Sequence, residues 1–188
     1  YDGTWDTCVV QTRDWVTVEK TYQWLQSGKH PFKSLIIDSI SELQTRFIES
    51  TAGRSQLTQQ DWGDVYRKVG GLVRDIRDLT MHPTKPLEAI VMTAMMKEVN
   101  GRYTPWCSGQ LQTLLPYLLD VTGYLWVETE TDELSGEETE VRKFLTRRTA
   151  TYEAGERVGG RIPRVMKDPN ITDMIESIFS DRTPEVGS

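Results

Sequence analysis

A chain of 188 residues is long enough to bury the core of one domain and short for two, so we expect a single domain over residues 1–188 with a flexible tail at 180–188. The formal net charge of −6, from 22 Lys and Arg against 28 Asp and Glu, excludes a histone-like or heavily basic DNA binder and restricts any nucleic-acid contact to a local patch. No apolar run reaches the roughly 20 residues of a membrane span, which predicts a soluble protein without a membrane partner.

The first elements predicted along the chain are a short β-like run at residues 7–10 and an amphipathic helix at residues 14–28. Apolar side chains recur in the helix at intervals of three and four residues. Asp14 is suited to the N-cap, because its side chain accepts hydrogen bonds from free backbone amides. Gly28 is suited to the stop, because glycine tolerates a left-handed backbone.

An apolar run at residues 32–40 predicts the central strand. Its length, between Gly28 and Pro31 on one side and a helical pattern on the other, indicates a strand buried on both faces, as in a parallel sheet. Asp38 falls near the end of the run. Because ligands in open α/β sheets bind beyond the carboxyl ends of the strands, Asp38 is expected at the rim of a site, where a carboxylate suits Mg²⁺.

The middle of the chain predicts a crossover between two parallel strands. Helical spacing recurs at residues 40–48 and again at 58–79, with a polar loop at 50–56 between them. A Pro-containing turn then precedes an apolar run at residues 87–94. A strand, two helices and a strand in this order predict parallel pairing, and Thr93 then falls near the end of the second strand.

The last part of the chain predicts a short helix, a hairpin and a terminal helix. Residues 97–109 have the composition of a polar loop, and residues 110–119 carry leucines at helical spacing. Residues 123–129 and 141–146 flank an acidic, Gly-containing turn, which is the pattern of a β-hairpin. A capped helix is predicted to begin after residue 168.

Two segments of the chain resemble motifs of known ATPases. Leu-Ile-Ile-Asp-Ser at residues 35–39 resembles the Walker B strand of RecA-like ATPases, in the Asp-Ser form of RecA itself and of phage-encoded relatives that act in recombination. Residues 154–160 resemble the Lys-x-Arg-x-Gly segment with which DnaB-type helicases and phage RecA-like proteins reach a neighbour's ATP site. Arg157 falls on the arginine and Gly159 on the glycine. Gly155 stands in place of the lysine. The segment would therefore bring one positive charge to the neighbour's ATP site instead of two.

The order of features over residues 33–178 is similar to that of phage RecA-like ATPases of the single-strand-annealing type. The resemblance implies an α/β fold with a RecA-like, mostly parallel sheet flanked by helices and a C-terminal antiparallel hairpin. It also implies ATP and Mg²⁺ as cofactors and a homo-oligomer, a ring or a filament, with ATP at the subunit interfaces. The implied function is ATP-dependent phage DNA recombination on single-stranded DNA, by annealing or strand exchange. A non-catalytic RecA-like module for oligomerisation or partner binding and a DnaB-like helicase motor remain as alternatives.

The same resemblance implies roles for individual residues at the ATP site. Asp38 would hold Mg²⁺ through water, with Ser39 beside it, and Thr93 would sense the γ-phosphate. Glu42 would polarise the attacking water, and Arg157 would act across the subunit interface. The residues themselves leave simpler roles open. The Thr93 hydroxyl could cap the end of a strand, Glu42 could face solvent, and Arg157 could be a surface arginine in a Gly-rich turn.

Residues 97–106 mix cations with aromatic side chains, as surfaces that bind single-stranded DNA do. The resemblance places this loop where RecA-like recombinases meet the strand, so Lys97, Arg102 and Tyr103 are candidate DNA contacts, as is Arg54 of the earlier loop. Packing of the aromatic rings against a neighbouring helix and a solvated lysine are the alternatives.

ATP hydrolysis also requires a phosphate-binding loop. No Gly-x-x-x-x-Gly-Lys-Ser/Thr motif occurs in residues 1–188. In the family that the chain resembles, this Walker A loop lies on the first strand, upstream of the Walker B strand, so we expect it before Tyr1. The alternative is a domain that has lost the loop.

Cysteine usage predicts a cytoplasmic location. Cys8 and Cys107 lie far apart, and neither belongs to a zinc or disulfide motif, so both are expected to be reduced thiols. If the protein is phage-encoded, the compartment is the host cell cytoplasm.

Overall fold

The computed structural model describes residues 7–53, 56–132 and 135–180. Within these ranges the chain forms a mixed α/β structure. The helices are α1 (Trp15–Gln26), α2 (Ile40–Ala52), α3 (Gln59–Asp78), α4 (Leu111–Leu118) and α5 (Ile171–Phe179), with a 3-10 helix at Leu79–Met81. The strands are β1 (Ser34–Ile37), β2 (Ala89–Met92), β3 (Met96–Val99), β4 (Arg102–Pro105), β5 (Val121–Thr122), β6 (Tyr124–Thr131), β7 (Glu138–Leu145), β8 (Gly155–Glu156) and β9 (Val165–Lys167).

The chain divides into two compact units. The first consists of Tyr1–Val99 and Thr104–Leu119, and the second of Asn100–Tyr103 and Asp120–Ser188. A single domain over residues 1–188 stays a prediction. Except for Ser180, the tail predicted at 180–188 lies outside the described residues.

All of the α-helices described except α4 begin at a side-chain cap. Asp14 accepts a hydrogen bond from the Thr17 amide at 2.7 Å and caps α1, as predicted. Thr58 and Asp61 exchange hydrogen bonds in a capping box at the start of α3. Asn170 caps α5 through the amides of its first turn. These bonds satisfy amides that a helix leaves unpaired, which fixes where each helix starts.

The core of the first unit is centred on α3, whose Val69 and Val73 are fully buried. Gly70 lets α4 approach α3 closely, because a Cβ at this position would lie 3.2 Å from the Leu114 side chain. Gly71, in contrast, faces open space. The other buried residues of this core are Trp15, Val18, Ile40, Phe47, Val65, Leu72, Ile76, Cys107, Leu111, Leu115 and Leu118.

β1 and β2 pair in parallel, as the crossover predicts, with Leu35 opposite Ile90 and Ile37 opposite Met92. These four side chains pack against the helical core. The predicted burial of the central strand on both faces is wrong, since the Ile36 side chain on the opposite face is 67% exposed. The helices of the core cover only the face that carries Leu35 and Ile37. A larger RecA-like parallel sheet therefore stays a prediction, whereas the mixed α/β class is confirmed.

Two local predictions are wrong. Residues 97–109, expected to be a loop, contain the two-stranded β3–β4 sheet. Its turn is Asn100-Gly101, with φ values of 52° and 76°, and Asn-Gly favours a tight turn that requires positive φ at both positions. The β-like run at residues 7–10 forms no strand, because no neighbouring strand pairs with it in the described chain.

The second unit contains the predicted hairpin. β6 and β7 pair antiparallel from Tyr124 opposite Leu145 to Thr131 opposite Glu138. β9 extends this sheet by pairing with β7, while β5 and β8 form a separate antiparallel pair.

Charged side chains join the strands of the β6–β7–β9 sheet. The Lys143 ammonium lies 2.9 Å from the carboxylates of both Glu128 and Glu130, and the Lys167 ammonium lies 2.6 Å from Glu130. Hydrogen bonds from Lys167 and Lys143 lower the pKa of Glu130 from 4.5 to about 2. The same contacts raise the pKa of Lys143 above its ordinary value. Both groups therefore remain charged at neutral pH.

His30 of the first unit is enclosed by aromatic rings. Its side chain is buried, with ring centroids 6.0 Å from Trp24 and 6.4 Å from Phe32. Neither ring nitrogen has a hydrogen-bond partner among the residues that the structure describes.

Both cysteines are free thiols, Cys8 exposed and Cys107 buried. Burial raises the pKa of Cys107 to about 11, so its thiol stays protonated at neutral pH. In the described ranges, every helix is too short or too polar to cross a bilayer.

Candidate functional site

Two predicted site residues, Asp38 and Thr93, meet at the carboxyl ends of β1 and β2. The Thr93 hydroxyl donates to Asp38 Oδ1 at an O···O distance of 2.5 Å. The backbone holds the two residues in register, since the Thr93 amide donates to the Ile37 carbonyl and the Ile40 amide to the Thr93 carbonyl, both at 2.9 Å. Both side chains are exposed. The pair therefore lies where ligands bind in open α/β sheets.

Ser39 turns the chain from β1 into α2. The peptide bond between Asp38 and Ser39 is cis. The Ser39 hydroxyl oxygen accepts from the Glu42 amide at 3.2 Å, which makes Ser39 the N-cap of α2. Its hydroxyl thus orients the start of the helix beside Asp38.

The Glu42 carboxylate is engaged on the surface of α2. Arg46, one turn along the helix, lies 2.7 Å from Glu42 and 3.0 Å from Glu49. Ion pairs at this spacing between half-exposed side chains contribute little to stability, so they can be broken at low cost. The water-polarising role of Glu42 stays a prediction.

Arg157 belongs to the second unit, directly after β8. Its side chain is exposed, and its amide donates to the Asp120 carbonyl at 2.8 Å. The chain then passes through Gly159 and Gly160 with φ values of 69° and 77°, a left-handed conformation that favours glycine. The Gly-rich motif is therefore a tight turn that presents Arg157 at its first position.

The turn is organised by Glu156, which the sequence analysis missed. Its side chain is only 3% exposed, and its carboxylate lies 2.7 Å from the Arg147 guanidinium. The same carboxylate accepts hydrogen bonds from the amides of Val158 at 2.6 Å and Gly160 at 3.1 Å. An acidic residue inside a Gly-rich turn is a sequence signal for such a backbone contact, since successive amides of such turns bind anions.

The candidate DNA contacts differ in their surroundings. Lys97 lies on β3 with its side chain exposed. Arg54 falls outside the described residues, so its role stays a prediction.

Arg102 and Tyr103 are held within the second unit. The Arg102 guanidinium lies 3.4 Å from the Glu153 carboxylate. Tyr103 stacks on Tyr152 with ring centroids 5.3 Å apart, and Tyr152 in turn stacks on Tyr124 at 4.1 Å. Both residues thus have partners within this unit, and Tyr103 packs against Tyr152, which lies outside the helices, and not against a neighbouring helix. Their role as DNA contacts stays a prediction.

The structure thus brings together a carboxylate and a hydroxyl at the ends of two parallel strands joined by a helical crossover. A family model described as an AAA domain matches residues 3–158, which include Asp38, Thr93 and Arg157. The chain belongs to this family. No curated protein and no solved structure gave a significant match. AAA domains are P-loop ATPases with an α/β fold, which typically use ATP and Mg²⁺ and often form oligomers.

The donor set of this AAA domain fits Mg²⁺ bound through water. Within the described ranges, no three His, Cys, Asp or Glu side chains gather as a metal cluster. Mg²⁺ does not need such a cluster, because it keeps several of its waters and binds through one or two carboxylates. Asp38 is exposed, and Thr93 engages its Oδ1, which leaves Oδ2 to accept from a metal-bound water.

Two buried polar side chains of α2 lie next to this site, and the sequence analysis missed both. Ser41 is 7% exposed and Gln44 is 3% exposed. Ser41 Oγ donates to the Trp106 carbonyl at 2.6 Å and accepts from the Met95 amide at 3.0 Å. Gln44 Nε2 donates to the Ser108 carbonyl at 3.0 Å, and its Oε1 accepts from the Ser108 amide at 2.7 Å. Helical spacing marks the apolar face of α2 but contains no signal for these distant partners.

Proposed function

We propose that this AAA domain is the RecA-like core of an ATP-dependent DNA recombination protein of phage type, which binds single-stranded DNA and promotes annealing or strand exchange. The observation that carries the proposal is the hydrogen bond between Thr93 and Asp38. It aligns a hydroxyl and a carboxylate at the ends of neighbouring parallel strands. Exposed side chains do not need to be aligned with each other for the fold to be stable. A hydrolytic site does need aligned side chains, because they must hold the reacting groups in position.

The direction of this hydrogen bond supports a role in positioning water. The one hydroxyl hydrogen of Thr93 points to Asp38, so the lone pairs of its oxygen remain to accept from a water at the γ-phosphate. Asp38 keeps its second oxygen for a water of the metal. Mg²⁺, when bound, would neutralise charge on the phosphates. The contribution of the chain is to orient both waters at one end of the sheet.

The proposal assigns Arg157 to the ATP site of a neighbouring subunit in a ring or filament. A guanidinium at that position would neutralise charge that develops on the transferred phosphoryl group. The contacts of Glu156 support this role, because an exposed side chain on a firmly held turn is partly preorganised for binding.

The proposal places single-stranded DNA on the β3–β4 sheet, through Lys97. With a net charge of −6, the protein must hold DNA through few and local cations. Arg102 and Tyr103 would contribute only if their contacts with Glu153 and Tyr152 opened.

The proposal requires a phosphate-binding loop. Residues 1–188 contain no Gly-x-x-x-x-Gly-Lys-Ser/Thr motif, so the proposal holds only for a protein in which this loop is supplied from outside these residues. ATPase activity is conditional on that loop.

The test is ATP turnover by the full-length protein, with and without single-stranded DNA, for the wild type and for Asp38→Asn and Thr93→Val. We expect each substitution to lower turnover at least about tenfold, because each removes one of the two groups that orient water. Asp64→Asn is the matched control, since Asp64 is a surface carboxylate of α3 paired with Arg67, and it should retain turnover. Wild-type turnover in Thr93→Val would refute the water-positioning role.

Assays on DNA separate the alternatives. Annealing or strand exchange without duplex unwinding would support the recombination function. ATP-driven unwinding would instead identify a DnaB-like helicase motor. An assembly that forms but hydrolyses no ATP would identify a non-catalytic oligomerisation module.

A further inference from the structure

The first turns of α2 bury two polar side chains, and each has all of its hydrogen bonds directed at the segment around β3 and β4. A buried polar group costs free energy unless it is paired, so Ser41 and Gln44 are retained in this core only because their partners are in place. Neither residue contacts the Asp38–Thr93 pair directly in the described structure. Both connect α2, which begins beside Asp38, to the strands proposed to meet DNA.

The Ser41 hydroxyl fastens both ends of the β3–β4 segment. Met95 immediately precedes β3, and Trp106 immediately follows β4. The hydroxyl accepts from the Met95 amide and donates to the Trp106 carbonyl, at 3.0 Å and 2.6 Å. The Trp106 amide also donates to the Met95 carbonyl at 2.6 Å, which closes the base of the segment. One side chain thus holds both ends at a single point.

Gln44 provides the second attachment, one turn further along α2. Its side-chain amide forms paired hydrogen bonds with the backbone of Ser108, at 2.7 Å and 3.0 Å. Two parallel bonds fix the orientation as well as the position of the backbone. The chain after β4 therefore cannot move relative to α2 without breaking two buried hydrogen bonds.

These attachments converge on the ends of the two strands that carry the proposed nucleotide-sensing groups. Ser41 follows Asp38 by three residues, and Met95 follows Thr93 by two. A shift of α2 or of the end of β2 on nucleotide binding would therefore move Met95 and Trp106 together. Rigid elements joined by buried hydrogen bonds are suited to transmit such a shift.

We infer that Ser41 and Gln44 are positioning residues that couple the nucleotide state at Asp38 and Thr93 to the affinity of the β3–β4 sheet for single-stranded DNA. The inference rests on the proposed function and specifies how that site is regulated. Coupling between two sites is reciprocal: ATP changes DNA affinity by the same factor by which DNA changes ATP affinity. The contribution of Ser41 and Gln44 is therefore measured as the change in this factor when either residue is substituted.

The experiment uses the full-length protein and two titrations. The affinity for a single-stranded oligonucleotide is measured with and without a non-hydrolysable ATP analogue, and the affinity for the analogue is measured with and without the oligonucleotide. In the wild type we expect both ratios to agree, at about fivefold or more. The variants are Ser41→Ala and Gln44→Met, each of which removes two hydrogen bonds.

The control is Ser50→Ala, because among the described residues the Ser50 hydroxyl bonds only to the Phe47 carbonyl, within α2. Ser41→Thr, which restores the hydroxyl, is the conservative variant. We expect the coupling ratio to fall to within about twofold of 1 in Ser41→Ala and Gln44→Met, and to persist in Ser50→Ala and Ser41→Thr. A merely structural role would lower the melting temperature and leave the ratio unchanged.

The outcomes are distinguishable. A wild-type ratio that persists in both Ser41→Ala and Gln44→Met overturns the inference, as does a wild type that hydrolyses ATP and binds DNA without coupling. In both cases the proposed function stands. A wild type that neither hydrolyses ATP nor binds DNA overturns the proposed function and the inference with it. If Ser41→Ala does not fold, Gln44→Met decides the question alone.

Discussion

Glu156 and Arg157 are neighbours in sequence with opposite surroundings. The Glu156 side chain is 3% exposed and is tied to Arg147 and to two backbone amides, while the Arg157 side chain is exposed. The first residue therefore sets the shape of the turn, and the second is presented by it. The role proposed for Arg157 in ATP hydrolysis therefore depends on the contacts of Glu156 that hold the turn.

Arg157→Ala is expected to lower ATP turnover about 100-fold or more in the assembled full-length protein, because it removes the charge that we propose acts on the transferred phosphoryl group. Nucleotide affinity should change by less than about threefold, because the role proposed for Arg157 is confined to charge that develops in the transition state. Turnover and nucleotide binding are measured on the same preparation. Arg148→Ala, an exposed arginine paired with Glu153, is the control. Unchanged turnover in Arg157→Ala would remove the arginine from the mechanism.

Whether a site residue can be predicted from sequence depends on how far away in the sequence its contacts lie. Asp38 and Thr93 could be placed from sequence, because each ends an apolar run and parallel strands end at the same side of a sheet. Ser41 and Gln44 could not, since their partners lie 54 to 65 residues away and no spacing in α2 indicates them. Glu156 bonds to nearby amides and was detectable from its Gly-rich surroundings.

At the scale of elements, the β6–β7–β9 sheet is joined by charges as well as by its backbone. Glu130 accepts from lysines on two different strands, Lys143 of β7 and Lys167 of β9. Because its pKa is lowered to about 2, its contribution to stability is fully present above the unfolded value near 4.5 and is lost as the pH falls through the folded value.

Glu130→Gln is therefore expected to destabilise the protein at neutral pH, and the difference from the wild type should shrink between about pH 4.5 and pH 2. Urea unfolding at a series of pH values measures this difference. Glu140→Gln is the control, because Glu140 of β7 forms no ion pair in the described part of the chain, and its effect should not vary in this way. A constant difference for Glu130→Gln across the range would contradict the ion-pair explanation.

Helices and strands could be predicted where the residues that determine them lie close together in the sequence. The cap at Asp14 starts its helix as predicted, because a cap needs only residues of its own first turn, and α3 begins where helical spacing predicts it. The β3–β4 sheet was missed although its Asn100-Gly101 turn is a strong hairpin signal, because the flanking strands are short and polar. Burial of Ile36 was mispredicted because the composition of a strand does not reveal whether a helix covers each face.

At the scale of the whole molecule, family membership and charge restrict the function in different ways. An AAA domain identifies a P-loop ATPase in general. If single-stranded DNA binds as proposed, the net charge of −6 leaves only local contacts for it, so the affinity for DNA is expected to depend only weakly on salt for a nucleic-acid-binding protein. Composition could predict this restriction, whereas the division into two units depends on contacts distant in sequence and could not be anticipated.

The enclosed imidazole of His30 has a consequence for engineering the first unit. A neutral imidazole keeps one N–H that finds no acceptor among the described residues, so the ring acts as an imperfect phenyl group between Trp24 and Phe32. His30→Phe is expected to raise the melting temperature by about 2–4 °C. His82→Phe should lower it, because the His82 ring bonds to the Gln26 carbonyl at 2.8 Å and to the Lys85 amide at 2.9 Å. A lower melting temperature for His30→Phe would show that the nitrogens of this histidine stabilise the fold after all.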